Sequence, residues 1–190
     1  MTAIAVQPAK LTVTEALAEI KTLTKRIEKR RENVKPYLFR QKAVADPLAD
    51  DVEGGAPEFI KRERQGAADL ETRLVALRIA IQALNLRETI SIDGEVKSMA
   101  AWLTWRKEVL PGQRQFLQDL RNRLDQCRRE AAQKQIGVVN VDASSTAKYA
   151  DYIVHFNEAE LAREIEHIEL VVGTLDGQLS LKNATTTIEV

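Results

Sequence analysis

With 190 residues the chain is within reach of a single domain, and its 28 basic residues are balanced by 28 acidic ones, so no overall field draws it to nucleic acid or an anionic membrane. Charged residues make up 29% and aromatics 5%, with few glycines and prolines, a mix that suits long exposed helices better than a thick core or disordered tracts. The single cysteine, Cys127, rules out an internal disulfide framework and is compatible with a reducing compartment.

Met1–Lys10 contains Pro8, lacks a helical period and reads as an extended arm. It has no basic start followed by an apolar run, so no signal peptide is read there. Thr14 is the expected cap of the first helix, with Glu15 set favourably against the helix dipole. Ala16, Ile20, Leu23, Ile27 and Val34 carry its apolar stripe toward Pro36, which disfavours helical geometry at Lys35. Tyr37, Leu38 and Phe39 either begin another turn or cap the helices. Asp46–Ala56, with Pro47, Asp50, Asp51, Glu53 and Gly54-Gly55, is the clearest loop, and Pro57 suits the first turn of a second helix.

That second helix carries a seven-residue apolar repeat. Ile60, Ala67, Leu74 and Ile81 alternate with Leu70, Leu77 and Leu84, and Glu63 alone breaks the steps of three and four. It is expected to end near Asn85. Thr89–Ile92, Asp93-Gly94 and Glu95–Lys97 then form a hairpin signal. Ser98 caps a third helix with Trp102, Trp105 and Val109, and Pro111-Gly112 kinks or divides it. Leu117, Leu120, Leu124, Cys127 and Ala131 form a second coiled-coil stripe. Ile136–Val141 and Asp151–Phe156 are candidate strands, separated by the polar stretch Asp142–Thr146.

Asn157 with Glu160 has capping-box spacing, and Phe156 with Leu161 that of a hydrophobic staple. The fourth helix, with Leu161, Ile165, Ile168, Val172, Leu175 and Leu179, is expected to pass through Gly173 and Gly177 to about Lys182. Thr185–Val190 is β-branched and could add a strand.

The fold class implied is mainly α: an antiparallel four-helix bundle or coiled coil with a small β-hairpin or sheet element at one end. The organisation is an N-terminal arm over 1–10, a helical bundle domain over 11–184 with its β element near 88–97 and 136–156, and a β-prone tail over 185–190. The first helix and the later part of the third are basic, whereas the fourth is acidic through Glu158, Glu160, Glu164, Glu166 and Glu169. The acidic helix is therefore expected against one or both basic ones, since opposite charges beside a seam select partner and orientation. The alternative use of Lys21–Arg31 is phosphate binding, although no RNA-binding motif or zinc-finger spacing accompanies it.

Signals for chemistry are sparse. Cys127 lies on an apolar stripe, where free cysteine behaves as a small hydrophobe. Glu164 and His167 make one Glu-x-x-His pair, whereas di-iron bundles use two such pairs with two further glutamates. Gly54-Gly55 lacks the lysine and spacing of a P-loop. No catalytic residue, metal ligand or cofactor is expected, and no enzyme. No segment reaches the roughly 20 apolar residues that cross a bilayer, so the protein is expected to be soluble. The candidate interaction residues are Trp102, Trp105 and Val109 on one helix face, with Ile188 and Val190 on the tail. The tryptophans serve either as a plug at the hairpin end or as a partner-binding patch, a choice that solvent exposure of the rings decides.

Leu17–Arg30, Asp93-Gly94 with the helix after it, and Tyr152–Phe156 running into the helix capped by Asn157 resemble the septicolysin-type family of small helical proteins, over about half the chain. The acidic loop and Trp102–Arg106 depart from that pattern. The resemblance implies a small helical fold and, as one alternative, membrane activity. The chain also looks like small structural proteins of bacteriophages. That likeness implies a non-enzymatic structural or assembly protein that binds neighbouring subunits at a capsid or head–tail junction, through Met1–Lys10 and Thr185–Val190. The expected location is the virion, or the host cytoplasm during assembly. Partners would be other protein subunits, including capsid or connector proteins, in a homo- or hetero-oligomer. The other alternative is a cytoplasmic nucleic-acid-binding or regulatory helical module.

Overall fold

The computed structural model describes residues 10–140 and 152–190. Most of the expected N-terminal arm and the polar stretch Asp142–Thr146 lie outside the described residues. The chain is mainly helical, with small two-stranded sheets at helix ends. It divides into two compact units: Met1–Arg87 with Ser180–Val190, and Glu88–Leu179.

In the first unit, β1 (Lys10–Thr12) leads into α1 (Val13–Val34). Thr12, rather than Thr14, is the N-cap. Its hydroxyl accepts from the Glu15 backbone N–H at 3.2 Å, while the Glu15 carboxylate accepts from the Thr12 N–H at 2.8 Å. Thr12 wins because the helix needs an extended residue at its cap, and the end of β1 supplies one with ψ 157. Around Pro36 the chain makes a 3-10 turn over Lys35–Tyr37, and the Tyr37 ring packs edge-on to Phe59 at 5.3 Å.

The long helix α2 (Gly55–Arg87) is capped from nine residues upstream of its first residue. Asp46 accepts from the backbone N–H groups of Leu48 and Ala56, each at 2.9 Å. Gly55 sits at φ +60, and a Cβ there would lie 2.4 Å from the Asp46 carboxylate, so both conformation and space demand glycine.

Backbone N–H groups hold two carboxyls of this unit below their ordinary range: that of Thr12, helped by its hydroxyl, for Glu15, and those of Leu48 and Ala56 for Asp46. A depressed carboxyl stabilises the fold above its unfolded value, and that contribution disappears as pH falls through the lower folded value. We expect acidification below about pH 4 to loosen the start of α1 and the α1–α2 loop. Thermal melts across that range should show it, with a flatter profile in Asp46→Asn. Identical profiles in the two proteins would refute the assignment for Asp46.

The helices α1 and α2 run antiparallel, because Glu19 pairs with Arg73 at 2.9 Å, Arg30 with Glu63 at 2.8 Å and Arg31 with Glu71 at 2.8 Å. Glu63, the break in the apolar repeat, is therefore where α1 is fixed to α2. Gly66 leaves room for the Arg30 guanidinium, whose Nη1 lies 2.7 Å from where a Cβ would stand. The core joins Val13, Ala16, Ile20 and Leu23 to Leu77, Leu84 and Ile188. Ile188 belongs to β6 (Thr187–Glu189), which pairs antiparallel with β1 in the register Leu11 opposite Ile188.

The second unit opens with the hairpin β2 (Thr89–Ile92) and β3 (Glu95–Ser98). Asp93 and Gly94 both take positive φ, 51 and 80, the geometry whose twist matches the flanking strands. Ser98 caps α3 (Met99–Thr104) by accepting from the Ala101 N–H at 3.1 Å. The helical run then continues through a π segment, Trp105–Val109, into α4 (Leu110–Lys134).

Pro111 therefore does not divide the helix. Its ring crowds the carbonyl one turn back and it offers no N–H. The wider π turn, with the Leu110 N–H donating to the Trp105 carbonyl, absorbs that misfit. The run ends at Gln135 in the left-handed region, φ 56. The strands β4 (Val138–Asn140) and β5 (Tyr152–Val154) pair parallel.

The last helix, α5 (Glu158–Thr185), starts on Asn157, whose side chain accepts from the Ala159 N–H at 2.9 Å. It runs past the expected Lys182, and its final turn, from Ser180, belongs to the first unit. The second core joins Ile90, Ile92, Met99 and Trp102 to Val171, Leu175 and Leu179. Val171 takes the place expected of Val172, because a straight helix drifts about 20° per heptad against a seven-residue repeat. The contact then moves to the steps of four, 171–175–179.

Candidate functional site

The candidate interaction residues of the sequence are distributed between two cores and the surface. Trp102 is 3% exposed, and its indole N–H donates to the Ile90 carbonyl at 3.1 Å. Trp105 is half-buried and meets it edge-on at 5.6 Å. The rings are thus used inside the second unit, because an indole fills the space between hairpin and α5 while the strand backbone satisfies its N–H. Ile188 is 5% exposed in the first core, and Val190 packs partly buried against it. Val109 alone of the five is exposed, at the end of the π segment.

The second unit has, in addition, an open groove with an apolar floor between α4 and α5. These helices are antiparallel, as the ion pairs show: Arg106 of the preceding π segment with Asp176, Arg114 with Glu169 at 2.7 Å, and Arg128 with Glu158. The acidic last helix thus pairs with the later basic helix, while Arg30 and Arg31 of α1 pair with α2. Beside the seam runs a groove. One stretch, of about 580 Å³, has Leu110, Leu117, Ile165 and Ile168 as its floor and Arg106, Arg114 and Glu169 on its rim. It continues at Ile165 into a second stretch of about 320 Å³, lined by Leu124, Leu161 and Ala162 with Arg121, Asp125, Arg128 and Glu158. Leu117, Leu124 and Leu161 are buried, whereas Ile165 and Ile168 are only half-buried.

No known family, curated protein or solved structure matches this chain. Its function therefore has to be read from the surface itself.

The groove was partly legible beforehand. Its floor is the pair of apolar stripes on α4 and α5. What the pattern left unread is the spacing of its charges: Arg114, Arg121 and Arg128 recur every seven residues, and on α5 Glu169, the partner of Arg114, stands seven residues before Asp176. The next step on α5 is Ala162. Arg114 and Arg128 are paired with Glu169 and Glu158, whereas Arg121 between them has no ion pair among the described residues.

Other chemical signals resolve into structure. His167 Nε2 lies 2.9 Å from the Asp93 carboxylate at the hairpin turn, not beside a second Glu-x-x-His pair. Cys127 is half-buried on α4. Among the described residues no three His, Cys, Asp or Glu side chains converge to hold a metal ion, and no helix is long and apolar enough to cross a membrane.

Proposed function

We propose that this chain is a non-enzymatic assembly protein, a bacteriophage virion component of the capsid or head–tail junction, that binds a neighbouring subunit through the α4–α5 groove. The observation that carries the docking part is the half-open apolar floor, Leu110–Leu117 against Ile165–Ile168, bordered by arginines and glutamates. An elongated channel with an apolar floor and charged rims fits an amphipathic helix laid into it, with apolar anchors one turn apart. Small-molecule sites enclose most of their ligand instead. The virion setting comes from the resemblance to small phage structural proteins.

The tail has a different role in this reading. Thr187–Glu189 is hydrogen-bonded to Lys10–Thr12 of the same chain and Ile188 is in the core. Docking thus shifts from the tail to the groove.

The test is incorporation. Supplied during particle assembly, the wild-type chain should sediment with particles, whereas the Ile165→Asp/Ile168→Asp double variant should remain soluble with its helicity retained by circular dichroism. A wild-type chain absent from particles overturns the virion reading. A double variant incorporated as efficiently as wild type overturns the groove.

A further inference from the structure

We propose that the groove first receives a second copy of this chain, held by reciprocal ion pairs between Arg121 of each copy and Asp125 of the other. The inference rests on the docking reading above and names the partner. Arg121 and Asp125 both line the second stretch of the groove. Arg121 is exposed and Asp125 half-buried, and among the described residues neither makes an ion pair or hydrogen bond.

Each lacks a partner for a reason that can be traced. Arg121 shares its stretch of the groove with Ala162, which stands seven residues before Glu169 where a further acid would continue the spacing. Asp125 follows Arg121 by four residues, the less favourable order for a pair within one helix, and among the described residues it is not paired with Arg128, which is turned to Glu158, or with Arg129. A half-buried carboxylate with no direct ion pair gains from a guanidinium brought into contact with it.

The two charges are one turn apart, about 6 Å along the axis of α4. A two-fold axis crossing α4 between them sets each guanidinium beside the other copy's carboxylate. This is the self-complementarity that a two-fold interface demands, with one residue meeting a second and the second meeting the first. The same rotation lays Leu124, Leu161 and Ile165 against their own copies. Two antiparallel helix pairs would then enclose the apolar stripes as four helices. An unrelated partner has to supply both charges in reverse order, whereas a second copy does so by symmetry.

Charge exchange tests this directly. Sedimentation equilibrium of the full chain at micromolar concentration should show a dimer. Arg121→Asp, with two carboxylates per copy, and Asp125→Arg, with two guanidiniums, should each dimerise at least about tenfold more weakly. An equal mixture of the two variants should recover the dimer, because each presents what the other lacks. Both sites lie at the surface, and circular dichroism checks that the fold is kept. A monomeric wild type overturns the inference and leaves the groove to its own incorporation test. So does undiminished dimerisation of either variant, or a mixture that stays monomeric.

Discussion

Replacing Trp102 by alanine should destabilise the second unit by about 3–5 kcal/mol, the range for removing a large aromatic from a packed core. The ring is 3% exposed and packs among Ile90, Ile92, Met99, Val171, Leu175 and Leu179. It thus links the hairpin to α5, and little nearby can collapse into the space it leaves. The variant also strips the Ile90 carbonyl of the indole N–H that it accepts at 3.1 Å. The carbonyl keeps its place in the β2–β3 ladder opposite Lys97, so losing this one hydrogen bond accounts for only about 0.5–1.5 kcal/mol. Trp102→Phe separates the two effects, since it keeps most of the apolar volume and loses only the donor.

Trp105 is the one other tryptophan and remains as the reporter for denaturant titration followed by fluorescence. A loss below about 0.5 kcal/mol, the range of surface substitutions, would return Trp102 to the surface and revive the pair as a partner-binding patch. That outcome would contradict the burial of its ring.

Which features could be read in advance follows from how local their physics is. Asp93-Gly94 needs only its own two backbone conformations to make a hairpin. Asn157 needs only the first turn of α5. The capping box at Thr12 is equally local, with Glu15 three residues on, but Thr14 offers a competing cap closer to the apolar stripe. What decides for Thr12 is β1, and β1 exists because β6 pairs with it from the other end of the chain. No pattern near Lys10 announces that partner.

Pro111 was visible, but its effect depends on whether the helix can widen just before it, which the sequence does not state. Glu63 reads as a flaw in the repeat until Arg30 is seen to reach it over Gly66. The same holds for the groove. Its apolar floor was legible as two stripes, and its unmatched arginine becomes visible only once α4 and α5 are set in antiparallel register.

Leu77→Ala should destabilise the first unit by about 2–5 kcal/mol, whereas Val75→Ala and Ile79→Ala on the same helix should each change stability by less than about 0.5 kcal/mol. All three are apolar residues of α2 within two turns of each other, and helix propensity separates them by no more than a few tenths of a kcal/mol. Burial differs far more: Leu77 is 0% exposed, Val75 52% and Ile79 59%. Leu77 shares its core with Val13, Ala16, Ile20 and Leu23 of α1, and also with Ile188 of β6. A cavity there removes support from the short β1–β6 pair together with the helix seam. Hydrogen exchange should accordingly speed up at Leu11 and Ile188 along with the middle of α1. Leu77→Met, which keeps the volume, should lose under about 1.5 kcal/mol. Equal losses from alanine at 75, 77 and 79 would mean that α2 is gripped all round, and that the repeat has no inner face. A large loss at 77 alone would show that one narrow stripe holds α1, α2 and the end of the chain together.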